Sequence, residues 1–144
     1  MLQVYNTLGR SLQQFESRDE GKVGIYLCGP TVQSEPHVGH GRSAVAFDVI
    51  RRYLRWRGYT VTFVRNVTDI EDKIIKAAED TGSTVEELAL TMTKRFQDGY
   101  SALGVESPDE EPRATDTIPE IIDLVKRLIE RGLAYEADGD VYFA

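Results

Sequence analysis

Between residues 28 and 40 the chain reads Cys-Gly-Pro-Thr-Val-Gln-Ser-Glu-Pro-His-Val-Gly-His. A soft sulfur ligand, a turn and two imidazoles three residues apart, with a glycine between them, stand where an apolar strand hands over to a helix. Such a junction is where open α/β sheets bind ligands. Unpaired N–H groups at a helix start, together with the helix dipole, favour an anion there. The pattern points to a phosphate-bearing ligand beside a thiol or a metal. Plainer readings stand next to it. A lone cysteine at a strand end is usually a small buried hydrophobe, and His-x-x-His is common by chance. As phosphate binders, His37 and His40 would add directed N–H donors. As metal ligands they would join Cys28 around zinc, but that set has only three members at an atypical spacing, and it ranks second. Gly39 would let a ligand approach the helix start, or merely ease packing.

The elements that must position these residues follow from periodicity. Val23 to Cys28 is the short apolar run of a buried parallel strand. Val45, Phe47, Ile50, Tyr53 and Leu54 recur at helical spacing, which predicts a helix from about Gly41 to Arg57, stopped by Gly58. Thr60 to Val67 is rich in β-branched residues and reads as a second strand. Asn66 and Thr68 offer short hydrogen-bonding side chains at its end, and Thr68 or Asp69 is expected to cap a helix running to about Ala78. Ser83 with Glu86, and Thr117 with Glu120, have capping-box spacing for two further helices ending at Gly104 and Gly132. Residues 2–15 read as a hairpin around Leu8-Gly9-Arg10, and Ala134 to Phe143 as a hairpin turned by Asp138-Gly139. Ser107 to Pro112 reads as an acidic loop. Arg51, Arg52, Arg55 and Arg57 read as a solvated face, and Glu71-Asp72-Lys73 as an exposed first turn. The β–α–β–α order implies a parallel sheet with right-handed crossovers. It brings the 28–40 loop and the Asn66-Val67-Thr68-Asp69 turn to one crevice, provided the two strands are neighbours.

Bulk properties bound the function. With 144 residues, 41% hydrophobic and 28% charged, the chain suits one soluble domain with a real core. A formal net charge of −7 argues against gripping nucleic acid backbone as its main task. A single cysteine permits no internal disulfide framework and suits a reducing cytoplasm. The first residues, Met-Leu-Gln-Val-Tyr-Asn-Thr, lack the features of a secretory signal. No apolar run approaches the ~20 residues needed to span a bilayer, so no membrane partner is expected.

Taken together these residues resemble the cysteinyl-tRNA synthetases, a family of class I aminoacyl-tRNA synthetases. The resemblance begins at Tyr5-Asn6-Thr7-Leu8 and continues through Tyr26 to Val32. His37-Val38-Gly39-His40 is similar to the class signature His-Ile-Gly-His. Phe47 to Leu54, Arg65 to Ile75, Pro112 to Thr115 and Gly132 to Phe143 extend the match. The Cys-Gly-Pro-Thr turn before the signature and Asn-Val-Thr-Asp after the next strand make it specific.

The resemblance implies an α/β fold: the first half of a Rossmann-like parallel-sheet nucleotide-binding domain over residues 1–132, with an inserted β hairpin beginning over 133–144. It implies activation of L-cysteine by ATP, with Mg2+, to cysteinyl-adenylate, then transfer to tRNA(Cys), by a monomer in the cytoplasm. His37 and His40 would be catalytic and bind the ATP phosphates, with Gly39 making room, and Thr31 and Ser43 would line the nucleotide site. Gly29, Thr31, Asn66 and Thr68 would line the cysteine site. Cys28 would be one ligand of Zn2+, whose open position takes the substrate thiolate and rejects serine. In the family the other zinc ligands, the second half of the fold, the Lys-Met-Ser-Lys-Ser-type loop and the anticodon-binding domain lie further along. The chain therefore reads as an N-terminal portion, inactive alone. A related ligase that joins cysteine to an amino sugar in mycothiol synthesis shares the adenylate chemistry, but tends to carry Ile where this chain has Pro30. A non-catalytic nucleotide-binding module is the other alternative.

Overall fold

The computed structural model describes residues 2–144. β1 (Gln3–Asn6) and β2 (Ser11–Gln14) form an antiparallel N-terminal hairpin. β3 (Lys22–Leu27) leads into α1 (Val38–Trp56), and the chain returns as β4 (Thr60–Arg65), paired in parallel with β3 from Lys22↔Thr60 to Leu27↔Arg65. α2 (Asp72–Thr81), α3 (Val85–Ala102), a connecting segment, a 3₁₀ turn at Thr115–Thr117 and α4 (Ile118–Glu130) follow. β5 (Ala134–Ala137) and β6 (Asp140–Phe143) close as an antiparallel hairpin. Its turn holds Asp138 and Gly139 at φ 53° and 91°, the left-handed pair that a two-residue hairpin turn requires. The α/β class and the parallel pairing agree with the sequence.

β4 and the turn after it bury every second residue: Val61, Phe63, Arg65, Val67 and Asp69. Side chains alternate between the faces of a strand, so two charged residues share the apolar face. Buried charges need partners, and the segment that the sequence reads as an acidic loop supplies them. Arg65 Nη2 donates to Glu111 at 2.8 Å. Asp69 accepts from Arg113 Nε at 2.9 Å, the Thr115 amide at 3.0 Å and the Thr115 hydroxyl at 2.5 Å. Parallel bridges Val64↔Glu110 and Val67↔Arg113 lay this segment along the side of β4 away from β3. The solvated-face reading of the arginines fails for Arg51 for the same reason, while Arg57 is exposed as expected. Arg51 is 3% exposed and donates to the Ser107 carbonyl at 2.7 Å and to Asp109 at 2.8 Å. Arg52 and Arg55 are exposed but paired with Asp48 and Glu106.

Four boundary expectations are corrected. α1 begins three residues early, at Val38, because His37 caps it. Neither Thr68 nor Asp69 caps α2. Asp69 is engaged with Arg113 and Thr115, and Glu71 accepts from the Lys73 amide at 3.0 Å instead; α2 then continues to Thr81 before Gly82 turns it at φ 67°. The capping box of α3 is Thr84 with Glu87, one residue beyond the expected pair, because the Ser83 hydroxyl meets that of Thr81 at 2.9 Å. Thr117 makes no side-chain cap, since its hydroxyl donates back to the Arg113 and Ala114 carbonyls.

The main core joins α1, α2 and α3 to the end of β4. Ile74 and Val32 are wholly buried at its centre, beside Ala44, Val67, Leu88 and Phe96. A smaller cluster of Val23, Leu54 and Val61 packs with Phe15 and Tyr59. No helix among the described residues is long and apolar enough to cross a membrane.

Asp69 gives a pH-dependent test of the connecting segment. Burial acts to raise its carboxyl, but hydrogen bonds from the Thr115 side chain and amide and the charge of Arg113 outweigh it, leaving the group below its ordinary value of 3.8. A carboxyl lowered on folding contributes stability that is complete above the unfolded-state value and is lost as pH falls through the folded-state value. Asp69→Asn is expected to destabilise the chain by about 2 kcal/mol at neutral pH. In urea titrations the difference from wild type should hold steady down to about pH 5 and shrink in the acid range below 3.8.

Candidate functional site

β3 and β4 end side by side at Leu27 and Arg65, and their pairing resumes beyond a short break. Thr31 and Thr68 form a parallel bridge, the Val32 amide donates to the Thr68 carbonyl at 3.2 Å, and the Thr68 amide donates to the Pro30 carbonyl at 3.1 Å. The two motifs at the strand ends are thus one piece of structure. Asn66 fastens it. Its Oδ1 accepts from the Gly29 amide at 2.8 Å and the Tyr26 hydroxyl at 3.0 Å, and its Nδ2 donates to Thr68 Oγ1 at 3.3 Å. Asn66 and Thr68 are therefore fasteners of the turn and not helix caps. Gly29 is there because nothing larger fits: a Cβ would fall 1.5 Å from the Asn66 carbonyl oxygen. The tight turn leaves Cys28 as a free, exposed thiol, which removes the reading of it as a buried hydrophobe.

A cleft of about 80 Å3 opens here, lined by Cys28, Gly29, His40, Ser43, Arg65 and Tyr100 among others. It is well below the ~300 Å3 that encloses a drug-sized ligand. It accepts a side-chain-sized group, and the rest of any larger ligand must lie outside it. Of the predicted residues, Cys28, Gly29, His40 and Ser43 meet at the cleft. Thr31, Asn66 and Thr68 shape the turn that forms it, and His37 and Gly39 sit on the exposed helix start next to His40. Arg65 and Tyr100 were not singled out from the sequence. Arg65 lies with its guanidinium 4.4 Å from the Tyr100 ring centre. Burial raises the Tyr100 phenol above its ordinary value, Arg65 opposes that and Glu111 adds to it. The signals were present: period-two counting from Val61 turns Arg65 inward, and Phe96 and Tyr100 share a face of α3 at four-residue spacing.

The helix start differs from the expectation of free amides. The His37 amide donates to His40 Nδ1 at 3.2 Å, the Gly39 amide to His37 Nδ1 at 3.1 Å and the His40 amide to the His37 carbonyl at 2.9 Å. Of the four N–H groups that a helix start leaves over, Val38 alone is not so engaged. The donors on offer are instead the imidazoles. Each Nδ1 accepts a hydrogen bond, so in the neutral ring the proton resides on Nε2. Burial, and then the neighbouring His37, hold His40 below its ordinary value of 6.5, which favours its neutral form. The rings stack with centroids 3.9 Å apart.

Zinc does not fit the described residues on their own. Among them no three of His, Cys, Asp or Glu converge as a metal site. Both imidazole Nδ1 lone pairs are occupied by helix amides. The second-ranked Cys28, His37 and His40 set is thereby removed, and Cys28 offers one sulfur where a structural zinc needs four ligands.

Residues 14–144 match the family described as tRNA synthetases class I (C) catalytic domain. Among solved structures, the Mycobacterium tuberculosis methionyl-tRNA synthetase in complex with methionyl-adenylate superimposes with a TM-score of 0.70 at 28% identity, covering 79% of this chain and 22% of that one. A ternary complex of Agrobacterium radiobacter LeuRS with tRNA and LeuAMS shares the fold, with a TM-score of 0.68 at 20% identity over 83% of this chain and 16% of that one. Fold and site together define part of a class I aminoacyl-tRNA synthetase catalytic domain. Within that class the chain belongs to the cysteine–tRNA ligase family. It is 54% identical to the cysteine–tRNA ligase of Vibrio vulnificus over 144 residues and 49% identical to that of Brevibacillus brevis over 142, covering 99% of this chain in each case. It spans about a third of the length of these curated relatives, 31% and 30% respectively.

The Gly29 contact makes the turn intolerant of one carbon. Gly29→Ala is expected to cost about 3 kcal/mol, because the clash is with backbone that cannot yield locally. Gly24→Ala, with nothing within 4 Å of the added carbon, should change stability by less than about 1 kcal/mol. Urea midpoints of the two variants compare them directly.

Proposed function

We propose that this chain forms the ATP-facing part of a cysteine–tRNA ligase, a cytoplasmic monomer that activates L-cysteine with ATP and Mg2+ and passes the cysteinyl group to tRNA(Cys). Residues 1–132 would be the N-terminal half of the catalytic domain and 133–144 the start of a connective insertion. The nucleophile is the substrate's own carboxylate, which attacks the α-phosphate and displaces pyrophosphate, so no protein nucleophile is needed. What the protein contributes is positioning and stabilisation of developing charge. His37 and His40 offer Nε2–H donors to the phosphates. Gly39, Thr31 and Ser43 would border the nucleotide. Gly29, Thr31, Asn66 and Thr68 would form the wall that receives the amino acid. Cys28 would give one sulfur to a zinc ion completed by residues outside these 144, and such an ion would supply a preference for thiol over hydroxyl.

The observation that carries this reading is one small cleft holding Cys28, Gly29, His40 and Ser43 beside an imidazole-capped helix start. A side-chain-sized recess next to exposed phosphate donors suits a small amino acid joined to a nucleotide. The test is a chimera in which the chain replaces the matching third of the Vibrio vulnificus ligase. The chimera is expected to catalyse cysteine-dependent ATP–pyrophosphate exchange, and His40→Ala within it to lower the exchange about 10²- to 10³-fold. The 144-residue chain alone is expected to give none. An inactive but folded chimera would sink the assignment.

A further inference from the structure

Phe96 belongs to none of the contacts invoked for substrate. It lies on α3, 2% exposed, and its ring meets the His40 imidazole with centroids 4.8 Å apart and planes at 71°. His40 in turn stacks on the exposed His37 ring. The three rings run in a row from core to surface. Behind them Tyr100 lies 5.9 Å from Phe96, with the Arg65 guanidinium over the Tyr100 ring and bonded to Glu111. The row therefore ends on a buried, paired cation that cannot shift without breaking its ion pair.

Two contacts limit how the outer rings can turn. Rotating the His40 imidazole would break both the hydrogen bond that Nδ1 accepts from the His37 amide and the edge contact with Phe96. His37 has no such wall. Its ring instead occupies the space where a Gly39 Cβ would stand, 2.9 Å from Cε1 and 3.0 Å from Nδ1. The titratable and charged groups around His40 are Cys28, Arg65 and Tyr100 across the cleft and His37 beside it. Arg95, next to Phe96 on α3, pairs with Glu35 of the preceding loop.

We propose that Phe96 is a positioning residue for the anion site: its ring holds His40, and through the stack His37, as a fixed pair of Nε2–H donors. The functional side of this rests on the reading of the two histidines as phosphate ligands. The donor state itself is measurable with no ligand present.

The chain has two histidines, so ring-nitrogen spectra of 15N-labelled protein contain two imidazoles only. Both are expected as the Nε2–H tautomer, with His40 titrating below 6.5. In Phe96→Leu, which keeps an apolar side chain without the ring, His40 is expected to show mixed tautomers and to titrate closer to 6.5. ATP added to the same samples is expected to bind about tenfold more weakly than to wild type, the scale of one hydrogen bond to a charged group. Gly39→Ala is the second variant, should Phe96→Leu fail to fold; it leaves the core alone and is expected to free His37 while His40 stays locked. Mixed tautomers in the wild type, a folded Phe96→Leu with unchanged tautomers and titration, or a Gly39→Ala that unlocks His40 would each overturn the proposal. Locked tautomers in a wild-type chain that binds no ATP would leave the positioning intact and overturn the phosphate reading.

Discussion

Two guanidinium groups lie inside this fold, and most of its geometry answers to them. Arg51 and Arg65 are 3% and 4% exposed, one on the buried side of α1 and one on the inner face of β4. Removing one partner from such a pair typically costs about 3–5 kcal/mol. That is a large share of the ~5–15 kcal/mol that holds a domain together. The counter-charges come from far along the chain, Asp109 and Glu111. Satisfying them lays the connecting segment along β4, where it adds two parallel bridges and brings Thr115 to Asp69. The pairing is incomplete: Nε of both arginines is buried with no acceptor among the described residues, a cost of about 1–3 kcal/mol each. The ion pairs therefore specify where the segment goes more than they add net stability, and the apolar core around Ile74 and Val32 carries that load.

The site inherits this arrangement from both sides. On one side the paired strand ends are extended past their break by the Thr31↔Thr68 bridge, with Asn66 holding the Gly29 amide. On the other, α3 presents Phe96 and Tyr100 to the start of α1 and to Arg65. Between them the helix start spends its amides on its own imidazoles. A surface that first reads as an amide-lined anion site turns out to offer ring N–H groups instead.

The parts of this that were legible in the sequence are those governed by neighbours a few residues away. A short apolar run marked β3, a β-branched run marked β4, Asp138-Gly139 marked the last hairpin, and Gly58, Gly104 and Gly132 marked helix ends. Cys28, Gly29, His40 and Ser43 were named beforehand and do meet. The misses depend on distant partners or on uncommon chemistry. A histidine is not among the usual cap residues, so α1 was started at Gly41 in place of Val38. The four arginines looked solvated because their acids are more than fifty residues away for Arg51 and Arg55. Asp69 looked like a cap because caps are what aspartates near helix starts usually make, while its real partners, Arg113 and Thr115, cannot be found by spacing. Phe96 and Tyr100 had the look of ordinary core and are core; nothing in their spacing says that an imidazole lies on the other side.

A donor held toward its neutral form, as His40 is, gives the helix start an unusual relation to ionic strength. Salt weakens anion binding chiefly by screening fixed positive charges, and a neutral Nε2–H on His40 presents little for it to screen. The chain as a whole carries a net charge of −7, so an incoming anion meets repulsion at long range and directed hydrogen bonds only at contact. Added electrolyte damps the first and scarcely touches the second. For this chain, then, salt in the physiological range helps an anion arrive, the reverse of the behaviour at a site built from lysines.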